Sequence, residues 1–160
     1  MKHATASILS RSASLSRVAA AALLGLACWT AQAQFAGLPT PVPAVAGAAS
    51  VAESDQDYRI DAARHIYASY PGRIYKGRMP ALLYGVAIVE TDVDATGAVV
   101  EVRIVRPPAA PEVGPWIMAM IKRAGPYPVP SKMGKASFKD IWLVEKGGNF
   151  QLDTLTEGQR

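Results

Sequence analysis

The stretch Gly85–Val105, "GVAIVETDVDATGAVVEVRIV", constrains the fold more than any other part of the chain. Ala87, Val89, Thr91 and Val93 alternate with Val86, Ile88, Glu90 and Asp92, which is the period of a strand rather than a helix. "DATG" then offers a reversal in which Gly97 can take positive φ, and "AVVEVRIVR" runs back until Pro107 and Pro108, which cannot continue a ladder. An antiparallel hairpin with one buried face follows. Because Val86 and Ile88 are also apolar, that end of the first strand is expected to be covered on both sides.

The remaining segments fit round this hairpin. In "ESDQDYRIDAARHIYASYP", Ser54 or Asp55 can cap a helix that places Ile60, Ala63, Ile66, Tyr67 and Tyr70 on adjoining turns and stops before Pro71. "EVGPWIMAMIKRAG" puts Val113, Trp116, Ile117, Met120, Ile121 and Ala124 on one helical face. Glu112 suits the positive end of that helix, and Lys122 with Arg123 its negative end. After Gly125-Pro126 and "YPVPSKMGK", the segments "SFKDIWLVEK" and "NFQLDTLT" read as a second hairpin joined at Gly147-Gly148. The order helix, strand, strand, helix, strand, strand predicts an α+β domain, a small antiparallel sheet of three to four strands packed by two helices.

The N-terminus carries a different signal. Lys2, Arg11 and Arg17 precede the apolar run Val18–Trp29, and "AQA" precedes Gln34, the three parts of a secretory signal peptide. The run is shorter than the roughly 20 residues that a membrane-crossing helix needs. Residues 1–33 are therefore read as a cleaved signal peptide and the destination as the periplasm, with an uncleaved inner-membrane anchor as the alternative. An acylated Cys28 is weaker, since Gly25 stands where a lipoprotein signal usually has Leu. Residues 34–56, rich in Ala and Pro without either period, read as a linker; the domain spans 57–156 and the tail 157–160.

Cleavage decides which functions survive. The chain has 17 Lys and Arg against 13 Asp and Glu, but the three N-terminal cations leave with the signal and the remainder is nearly balanced. A nucleic-acid role, which needs dense positive charge, loses its support. Cys28 and His3 leave too, so that no disulfide or thiol chemistry remains and His65 stands alone as a nitrogen ligand. No phosphate loop, nucleophile elbow or paired-histidine helix is present, and neither an enzyme nor a cofactor is expected. Glu90, Asp92 and Asp94 suggest calcium, but their place on a strand entering a turn favours a solvated face. His65 without a visible partner reads as structural, and Trp116 and Trp142 as core. The loop "YASYPGRIYKGRM" interleaves Tyr67, Tyr70 and Tyr75 with Arg73, Lys76 and Arg78, which allows peptidoglycan as a ligand, although packed tyrosines are favoured. A sheet edge, by contrast, binds an extended peptide or a second copy without any special residue.

Several of these features together resemble the C-terminal domain of TonB-type energy transducers. They are "SYP" closing the first helix, the hairpin with Val99, Val102 and Ile104 in its return strand, the amphipathic helix, and "YPVP" (Tyr127 to Pro130) before a last strand. The resemblance covers about Asp57 to Leu152. It implies a periplasmic domain that captures a short N-terminal segment of an outer-membrane TonB-dependent transporter as an added strand. By position, Phe138, Asp140, Ile141, Trp142, Leu143, Val144 and Glu145 would offer the pairing edge, with Ser69, Tyr70 and Pro71 beside the captured segment. If "NFQLDTLT" pairs across Gly147-Gly148, it competes for that edge. The alternatives are a membrane-anchored transducer and a peptidoglycan-binding module. Tethered at the membrane, the stretch Gln34 to Asp57 would reach roughly 80 Å when fully extended.

Overall fold

The fold is seen in a computed structural model, described over residues 35, 37–43 and 49–158. The expected signal segment 1–33 lies outside the described residues, as do the last two residues of the tail. Eight elements follow in chain order: β1 (Ala49–Ser50), α1 (Asp55–Ser69), β2 (Gly85–Val93), β3 (Val99–Arg106), α2 (Val113–Ala124), β4 (Val129–Pro130), β5 (Ala136–Val144) and β6 (Phe150–Leu152). Two helices pack on a four-stranded antiparallel sheet of order β3-β2-β5-β6, and β1 and β4 add a small parallel pair.

The alternation in β2 is realised in full. Gly85, Ala87, Val89, Thr91 and Val93 are buried while Val86, Ile88, Glu90 and Asp92 are half-buried. The turn closes with Gly97 at φ +80°, and a Cβ there would lie 2.1 Å from the Tyr127 carbonyl oxygen. Tyr127 N–H in turn donates to Gly97 O at 2.8 Å, so this glycine serves both the reversal and a close approach of backbone. Asp94 clamps the turn, its Oδ1 accepting from the Thr96 and Ala98 amides.

Both helices form, and one is rotated from expectation. All six apolar residues predicted for the α2 face are buried. In α1, Ser54 caps the first turn by accepting from Asp57 N–H, and the buried side is Tyr58, Ala62, Ala63, Ile66 and Ser69, with Ile60 38% exposed. Small Ala62 and Ala63 let the helix approach the sheet, and the Tyr58 hydroxyl finds Pro128 O at 2.6 Å, so the ring is buried without an unpaired donor. Burial pushes that hydroxyl's pKa well up.

The expected linker is part of the fold where it is described. Phe35 stacks on Tyr84 and meets Trp116 edge-on, with ring centroids 5.6 and 5.1 Å apart. Val42 N–H donates to Ser69 O at 2.8 Å, and β1 runs beside β4 with Ala49 opposite Val129. Ser50, buried, donates to Asp61.

Candidate functional site

The sheet edges are the candidate site, and the residues assign each edge a different fate. Strand β5, expected to be the outer pairing strand, is central. It pairs with β2 from Ala136 to Val144 and, on its other side, with β6, where Trp142 lies opposite Leu152, Leu143 opposite Gln151 and Val144 opposite Phe150. The pairing edge read from Phe138–Glu145 is therefore occupied at its C-terminal end by the chain itself. Glu145 is in the turn, where its amide donates to Asn149 O and its carboxylate accepts from Gly147 and Asn149 N–H.

Burial explains why β6 holds. Phe150, Gln151 and Leu152 are all buried, and Phe150 stacks on Trp142 at 4.7 Å and meets Trp116 and Tyr67 edge-on. The outer side of β6 is also taken. Tyr75 N–H donates to Phe150 O, Ile74 bridges Phe150, and the Gln151 amide donates to Tyr75 O and Gly77 O. A buried amide with so many partners pins the strand, because each bond lost there would leave a desolvated group unpaired.

The remaining length of β5, Ala136 to Ile141, faces α1 instead of a strand. Ser137 N–H donates to Asp55 Oδ1 at 2.9 Å, and Ile141 N–H to Asp140 Oδ1 at 2.8 Å. Two edge amides are thus satisfied by carboxylates. Asp140, buried, also pairs with Arg59 at 3.1 Å and accepts from Thr154 N–H at 3.4 Å, which joins α1, β5 and the turn Asp153–Leu155 after β6. Desolvation holds the Asp140 carboxyl above the ordinary carboxylate range, against the hydrogen bonds from Arg59 and Thr154 that pull it down. An open groove of 390 Å³ lies beside Ser137, Phe138 and Lys139, walled by Asp55, Gln56, Arg59 and Glu90.

Strand β3 is the other border. It pairs only with β2, and no strand lies beyond it among the described residues. Register shifts interrupt its ladder between Ile88 and Val89 and between Asp92 and Val93, leaving Val105 and Val100 as extra residues on the β3 side. Both are exposed, at 51% and 68%. Between them Arg103 binds Glu90, Asp92 and Glu101 at 3.2, 3.0 and 2.6 Å. Lys139 also reaches Glu90, and Asp94 holds its turn, so each of Glu90, Asp92 and Asp94 is engaged in an ion pair or a turn hydrogen bond.

The tyrosine-rich loop is drawn inward. Tyr70 is buried with its hydroxyl on Met120 O, and Tyr67 accepts from Leu152 N–H. Ser69 donates to His65 O, and Pro71 opens a short 3-10 turn, Pro71–Arg73. Ser69, Tyr70 and Pro71 thus sit at the end of α1, with two of the three in the core, rather than beside a free β5 edge. His65 Nε2 contacts Ala124 O at 2.7 Å and its ring lies against Tyr127, which ties α1 to the end of α2. Sequence reasoning missed β3 as the open border. The signal was the doubled apolar pairs Val99-Val100 and Ile104-Val105, which break the alternation at both ends of the strand.

No family model, no curated protein and no solved structure matches the chain. Its function has to be argued from these edges.

Proposed function

We propose that the chain is a non-catalytic periplasmic binding module of the TonB C-terminal type that captures an extended segment of an outer-membrane transporter or another envelope protein by strand addition. The observation that carries this reading is the unpaired border β3, eight residues long, whose outward amides and carbonyls have no strand beside them among the described residues. An incoming segment gains main-chain hydrogen bonds worth about 1 kcal/mol each, and Val100 and Val105 supply apolar contact.

This reading moves the docking strand. The resemblance implies β5, but β6 and the carboxylates of Asp55 and Asp140 leave little of that edge to a visitor. The order of elements, the Gly97 hairpin and the "YPVP" segment before β5 support the family reading. The peptidoglycan alternative loses ground because Tyr67 and Tyr70 have their hydroxyls engaged inside the fold. A membrane-anchored transducer depends on residues 1–33; among the described residues no helix is long and apolar enough to cross a membrane.

Titration of the labelled protein with a transporter-derived extended peptide, followed by amide chemical shifts, tests the proposal. Shifts are expected along Val99–Arg106. Shifts confined to Phe138–Glu145 would return the docking strand to β5, and no shift at any sheet residue would end the strand-addition reading.

A further inference from the structure

We infer that β3 is also a self-recognition strand, and that two copies of this chain associate weakly through it, antiparallel and centred on Val102. The inference rests on the same open border as the proposed capture of a segment, so the two occupants compete. It starts from the two register shifts, which confine the regular part of β3 to the stretch between Val100 and Val105. That stretch reads Glu101-Val102-Arg103-Ile104.

Antiparallel pairing of two identical strands has few solutions. Residues directly opposite must point to the same face of the sheet, so the two-fold axis has to pass through a residue rather than between two. An axis at Arg103 sets Arg103 against its own copy, which places two guanidinium groups together. An axis at Val102 sets Glu101 of each chain opposite Arg103 of the other. The sequence Glu-Val-Arg is therefore charge-complementary to itself when run in reverse, and only in this register. Both side chains stand in the open, Glu101 at 53% and Arg103 at 42% side-chain exposure. In each chain Arg103 already serves three carboxylates, so a second guanidinium beside Glu101 relieves a local excess of negative charge.

The same geometry sets the strength. Bulges twist a strand and shorten the stretch that can pair, so the contact falls below the roughly 1,200 Å² of stable interfaces. A dimer seen only at high concentration follows, one that joins the two sheets into a single continuous one.

Sedimentation equilibrium of the purified protein, at concentrations up to about 1 mM, tests this. The expected result is a reversible dimer whose dissociation constant rises at least about tenfold in Glu101→Arg and again in Arg103→Glu, because each variant opposes like charges. An equimolar mixture of the two variants should restore it, since the first carries two cations and the second two anions at the facing positions. Arg103→Glu takes a cation from Glu90, which keeps Lys139, and from Asp92; should it fail to fold, Val102→Cys in a Cys28→Ala chain keeps Arg103 and reads the same register, because only an axis at that residue sets the two thiols directly opposite for an interchain disulfide under mild oxidation. A protein that is monomeric throughout, or a dimer indifferent to Glu101→Arg, overturns the inference. If the transporter-derived peptide shifts Val99–Arg106 while the protein stays monomeric, self-recognition fails and capture stands. A dimer that the peptide neither binds nor dissociates has the opposite meaning.

Discussion

The two hairpins of the sheet share a turn design and differ in what their return strands do. In each, a carboxylate at the end of the outgoing strand clamps the reversal: Asp94 accepts from Thr96 and Ala98, and Glu145 from Gly147 and Asn149. Each turn also has a glycine at positive φ, Gly97 or Gly148. Beyond the turn they diverge. Strand β3 returns for eight residues at the border, with apolar residues exposed at both bulges. Strand β6 returns for three, all of them buried, with aromatic rings on its inner side and a loop along its outer one. The contrast teaches that pairing alone does not decide whether an edge is available. The depth of the side chains and the cover on the far side decide it.

The sharpest way to break the contrast is to empty the closed border. Phe150→Ala should destabilise the fold by about 3–5 kcal/mol and raise amide exchange at Trp142–Val144, measured by denaturant unfolding and hydrogen exchange; an unchanged exchange rate there would mean that β6 does not protect β5. Next in size is the turn of the open hairpin. Gly97→Ala adds a Cβ against the Tyr127 carbonyl at a φ of +80° and should cost more than about 2 kcal/mol. Gly134→Ala, strained at φ +72° but with nothing within 4 Å, should cost only about 1 kcal/mol, and equal losses in the two thermal melts would refute the close-approach argument.

A smaller effect concerns the junction at Asp140. Its folded pKa is raised, so the native state binds this proton more tightly than the unfolded chain does, and the group's contribution to stability falls as pH rises from about 4. Asp140→Asn should flatten the profile as pH rises above the ordinary carboxylate range of about 4; an unaltered slope in urea titrations would show that another group sets it. The smallest effect lies at the open border. Val105→Lys, at an exposed bulge, should leave stability within about 0.5 kcal/mol of the parent while weakening peptide capture, and a parent-like affinity would remove β3 from the site.

The local patterns were legible in the sequence to different depths. Strict alternation made β2 plain, and spacings of three and four made the α2 face plain, because each side chain's fate there depends on one neighbouring layer. In α1 the period was visible but its phase was not. Ile60 looked like a core residue, yet the sheet chose the smaller Ala62 and the hydroxyl-bearing Tyr58, whose partner Pro128 lies far along the chain. The docking of Phe35 and Val42 and the β1-β4 pairing were hidden in a segment whose composition suggests only a tether. At the candidate site, the competition between "NFQLDTLT" and a visitor for β5 was foreseeable from Gly147-Gly148. Its outcome was not, since it depends on Gln151 finding Tyr75 and Gly77 across more than seventy residues.

The interior position of Phe150, Gln151 and Leu152 has one further consequence, for quality control. A protease cut just after Lys146 that released β6 would uncover Trp142 and leave Leu143 with its hydrogen-bonding groups bare. Such a clipped product would carry an adhesive rim and be prone to clump, so three covered residues mark the difference between a well-behaved protein and a sticky one.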